Sequence, residues 1–329
     1  MGEFDLIRRY FARPAPATAA ASVPVGIGDD CAILQPTPGM QLAVSSDMLV
    51  EGRHFLSTVD PARLGHKALA VNLSDLAACG ARPLGFTLAL ALPSAEEAWL
   101  EGFARGLFAL ADAHGCALVG GDTTRGPLNI CITVFGEVPP GQALLRAGAK
   151  AGDELWVSGT LGDARLALEI FRGTVTAPGE VFEAARQRME QPTPRVALGQ
   201  ALRGLATSAI DISDGLLGDL GHVLKASRVG VRIDTQVAST LIATTAYVQG
   251  SEGLFSVEKC LDFVLAGGDD YELAFTAPAS AHAAVLAAGQ HSGTQVTCIG
   301  RIEAEPGVRL VNARGELLPN RYGSFDHFA

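Results

Sequence analysis

At 329 residues the chain exceeds the about 100 to 200 typical of one domain, so two domains are expected, each able to bury a core. Hydrophobic residues make up 48%, and 38 Gly with 17 Pro indicate many tight turns rather than disorder, because no low-complexity tract carries them. A net charge of −10 with four lysines argues against nucleic acid or an anionic membrane as partner, since such surfaces need clustered Lys and Arg.

Cys31, Cys79, Cys116, Cys131, Cys260 and Cys298 are scattered and form no CxxC. Neither a zinc site nor a disulfide framework is indicated, and a reducing cytoplasm is the expected location. The N-terminus has no continuous apolar core, and the longest apolar run, Leu84 to Leu92, stops at Pro93. No signal peptide and no transmembrane segment are therefore expected.

Taken in order, the chain first presents Gly26-Ile-Gly-Asp-Asp, then a strand from Gln41 whose end carries Ser45, Ser46 and Asp47. Asp60-Pro61 has the form of an N-cap followed by Pro at the first helical position, and Gly80 that of a terminating glycine, so a helix is predicted between them. Asn72 and Asp75 lie three apart on one face of it. That face is either a solvent stripe or a ligand face turned into a cleft.

Leu84 to Leu92 is predicted as a buried strand, and Ser94 with Glu97 as a capping box opening a helix that Gly115 ends. A short strand over Cys116 to Val119 leads into the loop Gly120-Gly-Asp-Thr-Thr-Arg-Gly-Pro, and Leu128 to Val138 forms a further strand. The predicted organisation is a mixed-sheet domain over residues 1–138, a linker over 139–152 and an α/β domain over 153–329.

In that second domain, strands are predicted at Glu154 to Ser158, Ser208 to Ile212, Val231 to Asp234, Tyr271 to Thr276, Thr294 to Ile302 and Val308 to Leu310. Helices fill the stretch to about Leu205, follow Ser213-Asp214-Gly215, and recur at Ala279 to Ala288. The dipeptide Ser-Asp recurs at 46–47, 74–75 and 213–214.

If Asp29, Asp30, Asp47, Asp75, Asp122, Asp211 and Asp214 converge, each pair at 4 Å repels by about 4 kcal/mol at an effective dielectric of 20. Hard cations are the simplest remedy. Single aspartates on glycine loops suit Mg²⁺, which keeps waters and bridges to phosphate, better than a closed calcium cage. Glycine lets backbone N–H groups approach phosphate oxygens. One such motif alone is more often a turn or a cap; their number shifts the balance. No GxxxxGK[ST] is present, and Gly26-Ile-Gly-Asp-Asp-Cys departs from GxGxxG at its last position. No nucleophile elbow occurs, and His54 is the one histidine near an acidic motif. A phosphate acceptor, with a second pKa of about 6, would explain the missing base.

Together, the ordered blocks Gly26 to Ala32, Ser46-Asp-Met-Leu-Val-Glu-Gly-Arg-His-Phe55, Asn72 to Pro83, Gly120 to Pro127, Ile212-Ser-Asp-Gly-Leu216, Gly267-Gly-Asp-Asp-Tyr-Glu-Leu273 and Phe325-Asp-His-Phe328 resemble the thiamine-monophosphate kinases. These belong to the superfamily of aminoimidazole ribonucleotide synthetase and selenophosphate synthetase. The resemblance implies ATP-dependent phosphorylation of thiamine monophosphate to thiamine diphosphate by direct in-line transfer. It implies several Mg²⁺ ions on Asp30, Ser45, Ser46, Asp47, Asp75, Asp122, Asp211 and Asp214. It places ATP on Gly121, Asp122, Arg146 and Ser213, and thiamine monophosphate on His54, Asp269 and Phe325, with no covalent nucleophile or general base. It also implies a homodimer formed through the N-terminal domains.

Three positions depart from the family pattern. Asp269 stands where Glu is usual, Ser45 and Ser46 where Thr is common, and Arg105 where an aromatic adenine contact is usual. The competing readings are another ATP-dependent synthetase of the superfamily and a metal–nucleotide binding protein without turnover. Against a selenophosphate synthetase, the stretch before Gly26 holds no cysteine.

Overall fold

The computed structural model describes residues 2–17, 19–243 and 254–323. The chain is mixed α/β, as expected, and divides into two compact units: Met1–Leu76 with Ala81–Ala143, and Ala77–Gly80 with Leu144–Ala329.

The first unit opens with a short helix α1 (Glu3–Leu6) that runs into a π-helical turn at Ile7–Phe11. Strand β1 (Gln41–Val50), helix α2 (Pro61–Ala78), strand β2 (Arg82–Leu92), helix α3 (Glu97–Ala113) and strands β3 (Ala117–Arg125) and β4 (Asn129–Val138) follow. The four strands form one sheet in the order β1-β4-β2-β3, antiparallel except for the β2–β3 pair.

Helix α2 begins where its caps dictate. Asp60 Oδ1 accepts the N–H groups of Ala62 and Arg63 at 2.9 and 3.2 Å, and Gly80, at φ 69°, turns the chain out of the helix. The helices α2 and α3 cross at glycines, because a Cβ on Gly65 would stand 2.1 Å from Phe103 O and one on Gly106 1.8 Å from Ala62 O. Leu64, Leu69, Leu73 and Leu76 are fully buried, and so are Lys67, Asn72 and Ser74. The solvent-stripe reading of this helix is thereby excluded.

In the first unit, local expectations needed correction at three places. Asp47 lies within β1 rather than at its end, since pairing with β4 continues through Asp47↔Ile132 to Val50↔Asn129. The Gly120 to Arg125 segment is strand, not loop, because β2 pairs with it from Thr87↔Gly120 to Leu92↔Arg125. Ser94 makes no capping box: its Oγ donates to Glu96 Oε1 at 3.0 Å, and α3 starts at Glu97 without a side-chain cap.

The second unit contains β5 (Glu154–Ser158), α4 (Asp163–Phe171), α5 (Gly179–Glu190), α6 (Val196–Ala201), β6 (Ser208–Asp211), α7 (Leu216–Ser227), β7 (Gly230–Asp234) and α8 (Thr235–Ala238). Helix α9 (Val257–Ala266), β8 (Leu273–Ala277), α10 (His282–His291), β9 (Val296–Glu303), β10 (Gly307–Val311) and β11 (Leu317–Leu318) complete it. Its seven strands run in the order β11-β10-β7-β9-β5-β8-β6. Leu155, Val157, Leu166, Leu216, Phe263 and Val264 belong to one buried cluster that joins sheet to helices.

Helix α9 went unforeseen, although Val257, Cys260, Leu261, Val264 and Leu265 carry helical spacing and Ser256 Oγ caps it by accepting Lys259 N–H at 3.2 Å. Strand β8 starts at Leu273 rather than Tyr271, because Tyr271 sits in the left-handed region at φ 52° and cannot extend a strand.

Candidate active site

Strand alternation sorts the Ser-Ser-Asp motif of the first unit. Ser45 and Asp47 share the face toward α2, where Ser45 Oγ donates to Asp75 Oδ2 and the Asp47 carboxyl lies near enough to that of Asp75 to feel its charge. Ser46 points the other way, bonding Thr133 Oγ1 at 2.9 Å and donating to Ile132 O at 3.2 Å. Asn72, 1% exposed, ties strand to helix: its Oδ1 accepts the Asp47 N–H at 3.1 Å while its Nδ2 donates to Ala68 O at 3.0 Å.

Burial raises the Asp47 carboxyl, and the adjacent Asp75 charge raises it further, to about 6. Two carboxylates so placed need a shared proton or a cation. Among the described residues no three His, Cys, Asp or Glu side chains lie together as a ready metal cage.

Asp30 and Asp122 are exposed, the first in the glycine loop before β1 and the second on β3. Gly121, just before Asp122, has φ 146° and lies so close to β2 that a Cβ would stand 1.9 Å from Leu88 O. His54 occupies a tight turn after β1. Its Nδ1 accepts the Val50 N–H at 3.0 Å, which puts the proton of the neutral ring on Nε2. The buried Lys67 Nζ donates to its carbonyl at 3.2 Å.

In the second unit Asp211 ends β6 and is buried, and the chain then turns through Ser213 and Asp214 into α7. Asp219 folds back from α7, its Oδ2 accepting both the Ser213 and Asp214 N–H groups at 3.0 Å. Burial lifts its carboxyl to about 6 despite these bonds. The Gly267-to-Tyr271 loop lies against this turn: the Asp269 N–H donates to Ser213 O at 2.8 Å and the Tyr271 N–H to Ile212 O at 2.9 Å. Asp269 itself is left-handed, at φ 72°.

Arg146 is exposed, and its carbonyl accepts a hydrogen bond from Ser227 Oγ at 3.4 Å. Phe325 lies outside the described residues. Sequence reasoning passed over Lys67, Asp219, Asp270 and Glu272 as working residues. A lone lysine in an apolar helix is a signal for the first; Asp270 and Glu272 lie inside the recognised block Gly267 to Leu273 without an assigned role, and Asp219 stands five residues after the Ser213-Asp214 motif.

The expectation of this architecture is met by family comparison. The AIR synthase related protein, N-terminal domain, matches residues 28–138, and the AIR synthase related protein, C-terminal domain, matches residues 150–312. The class is thus that of the AIR synthase related proteins. Over all of this chain and 98% of its own length, the thiamine-monophosphate kinase of Escherichia coli (strain K12) is 46% identical. The chain belongs to the thiamine-monophosphate kinase family, as its motifs implied.

Among solved structures, the thiamine-monophosphate kinase of Stenotrophomonas maltophilia K279a is similar at 45% identity with a TM-score of 0.80, covering 90% of this chain and 92% of that one. AaThiL complexed with AMPPCP and TMP is similar at 29% identity with a TM-score of 0.72, covering 89% of each chain.

Proposed function

We propose that this chain transfers the γ-phosphoryl group of ATP to the phosphate of thiamine monophosphate, giving thiamine diphosphate and ADP. The observation that carries the reading is the Asp47–Asp75 carboxylate pair in a chain 46% identical, end to end, to a thiamine-monophosphate kinase. The complex of AaThiL with AMPPCP and TMP, an ATP analogue beside a monophosphate, supports the choice of both substrates.

The site fits Mg²⁺ by the chemistry of its donors. Ser45, Asp47 and Asp75 offer hard oxygens, and the raised Asp47 carboxyl marks a place where negative charge is uncompensated. Asp30, Ser45, Asp47, Asp75 and Asp122 would hold the ions in residues 1–138, and Asp211 and Asp214 in residues 153–329, whereas Ser46, expected beside Asp47, is turned to the opposite face of β1 and would hold an ion only apart from the Asp47–Asp75 pair. Mg²⁺, when bound, neutralises phosphate charge and holds the reacting groups in line.

Gly121, Asp122, Arg146 and Ser213 bind ATP. At Gly121 the missing Cβ lets β3 close against Leu88 of β2 and so fixes the strand that carries Asp122, and Arg146 offers a planar cation to the phosphates. His54 donates Nε2–H to the acceptor phosphate, and Asp269 and Phe325 contact the same substrate. No residue acts as a general base, because a phosphate monoester with a second pKa of about 6 is mostly dianionic at neutral pH.

The homodimer reading is supported by β1, which lies at the edge of its sheet with Leu42, Val44 and Met48 exposed. A cytoplasmic location follows from the biosynthetic role, and among the described residues no helix is long and apolar enough to cross a membrane.

A direct product assay tests the assignment. Mg²⁺, ATP and thiamine monophosphate should yield ADP and thiamine diphosphate, with thiamine itself inert as acceptor. Formation of thiamine monophosphate from thiamine, or no turnover, would defeat it.

A further inference from the structure

Glu272 is wholly buried, and three elements meet on its carboxylate. From α5, Arg188 Nη2 donates to Oε1 at 2.7 Å. From the start of α6, Arg195 grips both oxygens, Nη2 to Oε1 at 2.5 Å and Nε to Oε2 at 2.6 Å. From the end of β5, Ser158 Oγ donates to Oε2 at 2.6 Å and accepts the Leu273 N–H at 2.8 Å. Gly159 closes over the cluster, where a Cβ would stand 2.1 Å from Glu272 Oε1. A buried carboxylate met by two guanidinium groups and a hydroxyl is a rigid anchor, since losing any partner strands charge away from water.

The backbone that this anchor holds is one that would not stay by itself. Asp269 and Tyr271, neither a glycine, are both left-handed, a conformation in which the Cβ of an L residue crowds its own backbone. Asp270, between them, is pinned by accepting the Gly162 N–H with both oxygens, at 3.0 and 2.9 Å. Glu272 itself closes the far end, its carbonyl accepting the Ile212 N–H at 2.8 Å. The Ser213-Asp214 turn, which the Asp269 N–H also reaches through Ser213 O at 2.8 Å, has an additional anchor of its own in Asp219.

We propose that Glu272, with Arg188 and Arg195, is a positioning residue that holds Asp269 in its left-handed conformation, so that it governs affinity for the phosphate acceptor while Asp219 governs the nucleotide side. The inference rests on the reading of Asp269 as an acceptor contact.

The test is steady-state kinetics of Glu272→Gln, Asp219→Asn and Asp269→Asn, with KM for each substrate measured separately. Glu272→Gln should raise KM for thiamine monophosphate tenfold or more with KM for ATP changed less than threefold. Asp219→Asn should show the opposite split, and adding Glu272→Gln to Asp269→Asn should raise the acceptor KM no further. If Glu272→Gln does not fold, Ser158→Ala, which removes one of the four bonds, should show the same split at about threefold. Equal changes in both KM values, or an unchanged acceptor KM alongside a raised one in Asp269→Asn, would overturn the inference. An unchanged acceptor KM in Asp269→Asn would instead refute the role given to Asp269.

Discussion

Asp47 on β1 and Asp75 on α2 bring their carboxyl groups together, and burial with the Asp75 charge lifts Asp47 to about 6. A group whose pKa rises on folding contributes stability that is full below its unfolded value of 3.8 and is lost as pH climbs through about 6. Above that window the metal-free protein carries a destabilising pair on the order of 3 kcal/mol, at about 1.4 kcal/mol per pKa unit. In EDTA at pH 8, Asp47→Asn should therefore melt higher than the wild type, with the excess shrinking as pH falls from 6 toward 4, while turnover drops by orders of magnitude. Coincident melts at pH 8 would show that the two carboxyl groups do not meet in solution.

Lys67 should matter for the acceptor although it sits in the core. Its amine donates to His54 O, and the same turn holds the His54 ring through the Val50 N–H. Lys67→Met keeps the packing but removes a charged hydrogen bond worth about 1.5 to 3 kcal/mol. The expected result is a rise in KM for thiamine monophosphate of about tenfold with KM for ATP unchanged. Kinetics matching the wild type would disconnect Lys67 from the His54 turn.

The two neighbouring glycines of β3 should respond differently. Gly121→Ala combines φ 146° with a Cβ 1.9 Å from Leu88 O and should lower stability by roughly 2 kcal/mol or more, along with nucleotide binding. At Gly120 the nearest contact to a Cβ is Thr87 Cγ2 at 3.9 Å, so Gly120→Ala should melt within about a degree or two of the wild type, a surface-like effect below about 0.5 kcal/mol. Thermal melts of the two variants decide it, and equal losses would contradict the close β2–β3 approach.

Alkylation should separate the cysteines. Cys31 is exposed next to Asp30, whereas Cys116 is completely buried and burial pushes its thiol up. Iodoacetamide on the native protein, read by mass spectrometry, should modify Cys31 and leave Cys116 untouched until denaturant is added. Early labelling of Cys116 would mean that the α3–β3 junction opens readily.

What could be read from sequence was carried by short-range chemistry. Asp60, Pro61 and Gly80 delimit α2 because caps satisfy backbone groups within a turn of themselves, and the acidic blocks announce the family because each is a contiguous string. The run Leu84 to Leu92 declared a buried strand by its own composition.

Tertiary structure alone decided which acids face one another. Strand alternation sets Ser45 and Asp47 against Asp75 and turns Ser46 away, yet the direction of that alternation depends on the side of β1 that α2 covers. The Gly120-to-Arg125 segment became strand because β2 lay beside it, and Arg188 and Arg195 found Glu272 across 84 and 77 residues of chain. Hydrogen bonds between residues so far apart gain their energy only after the intervening chain has folded, so no local spacing records them.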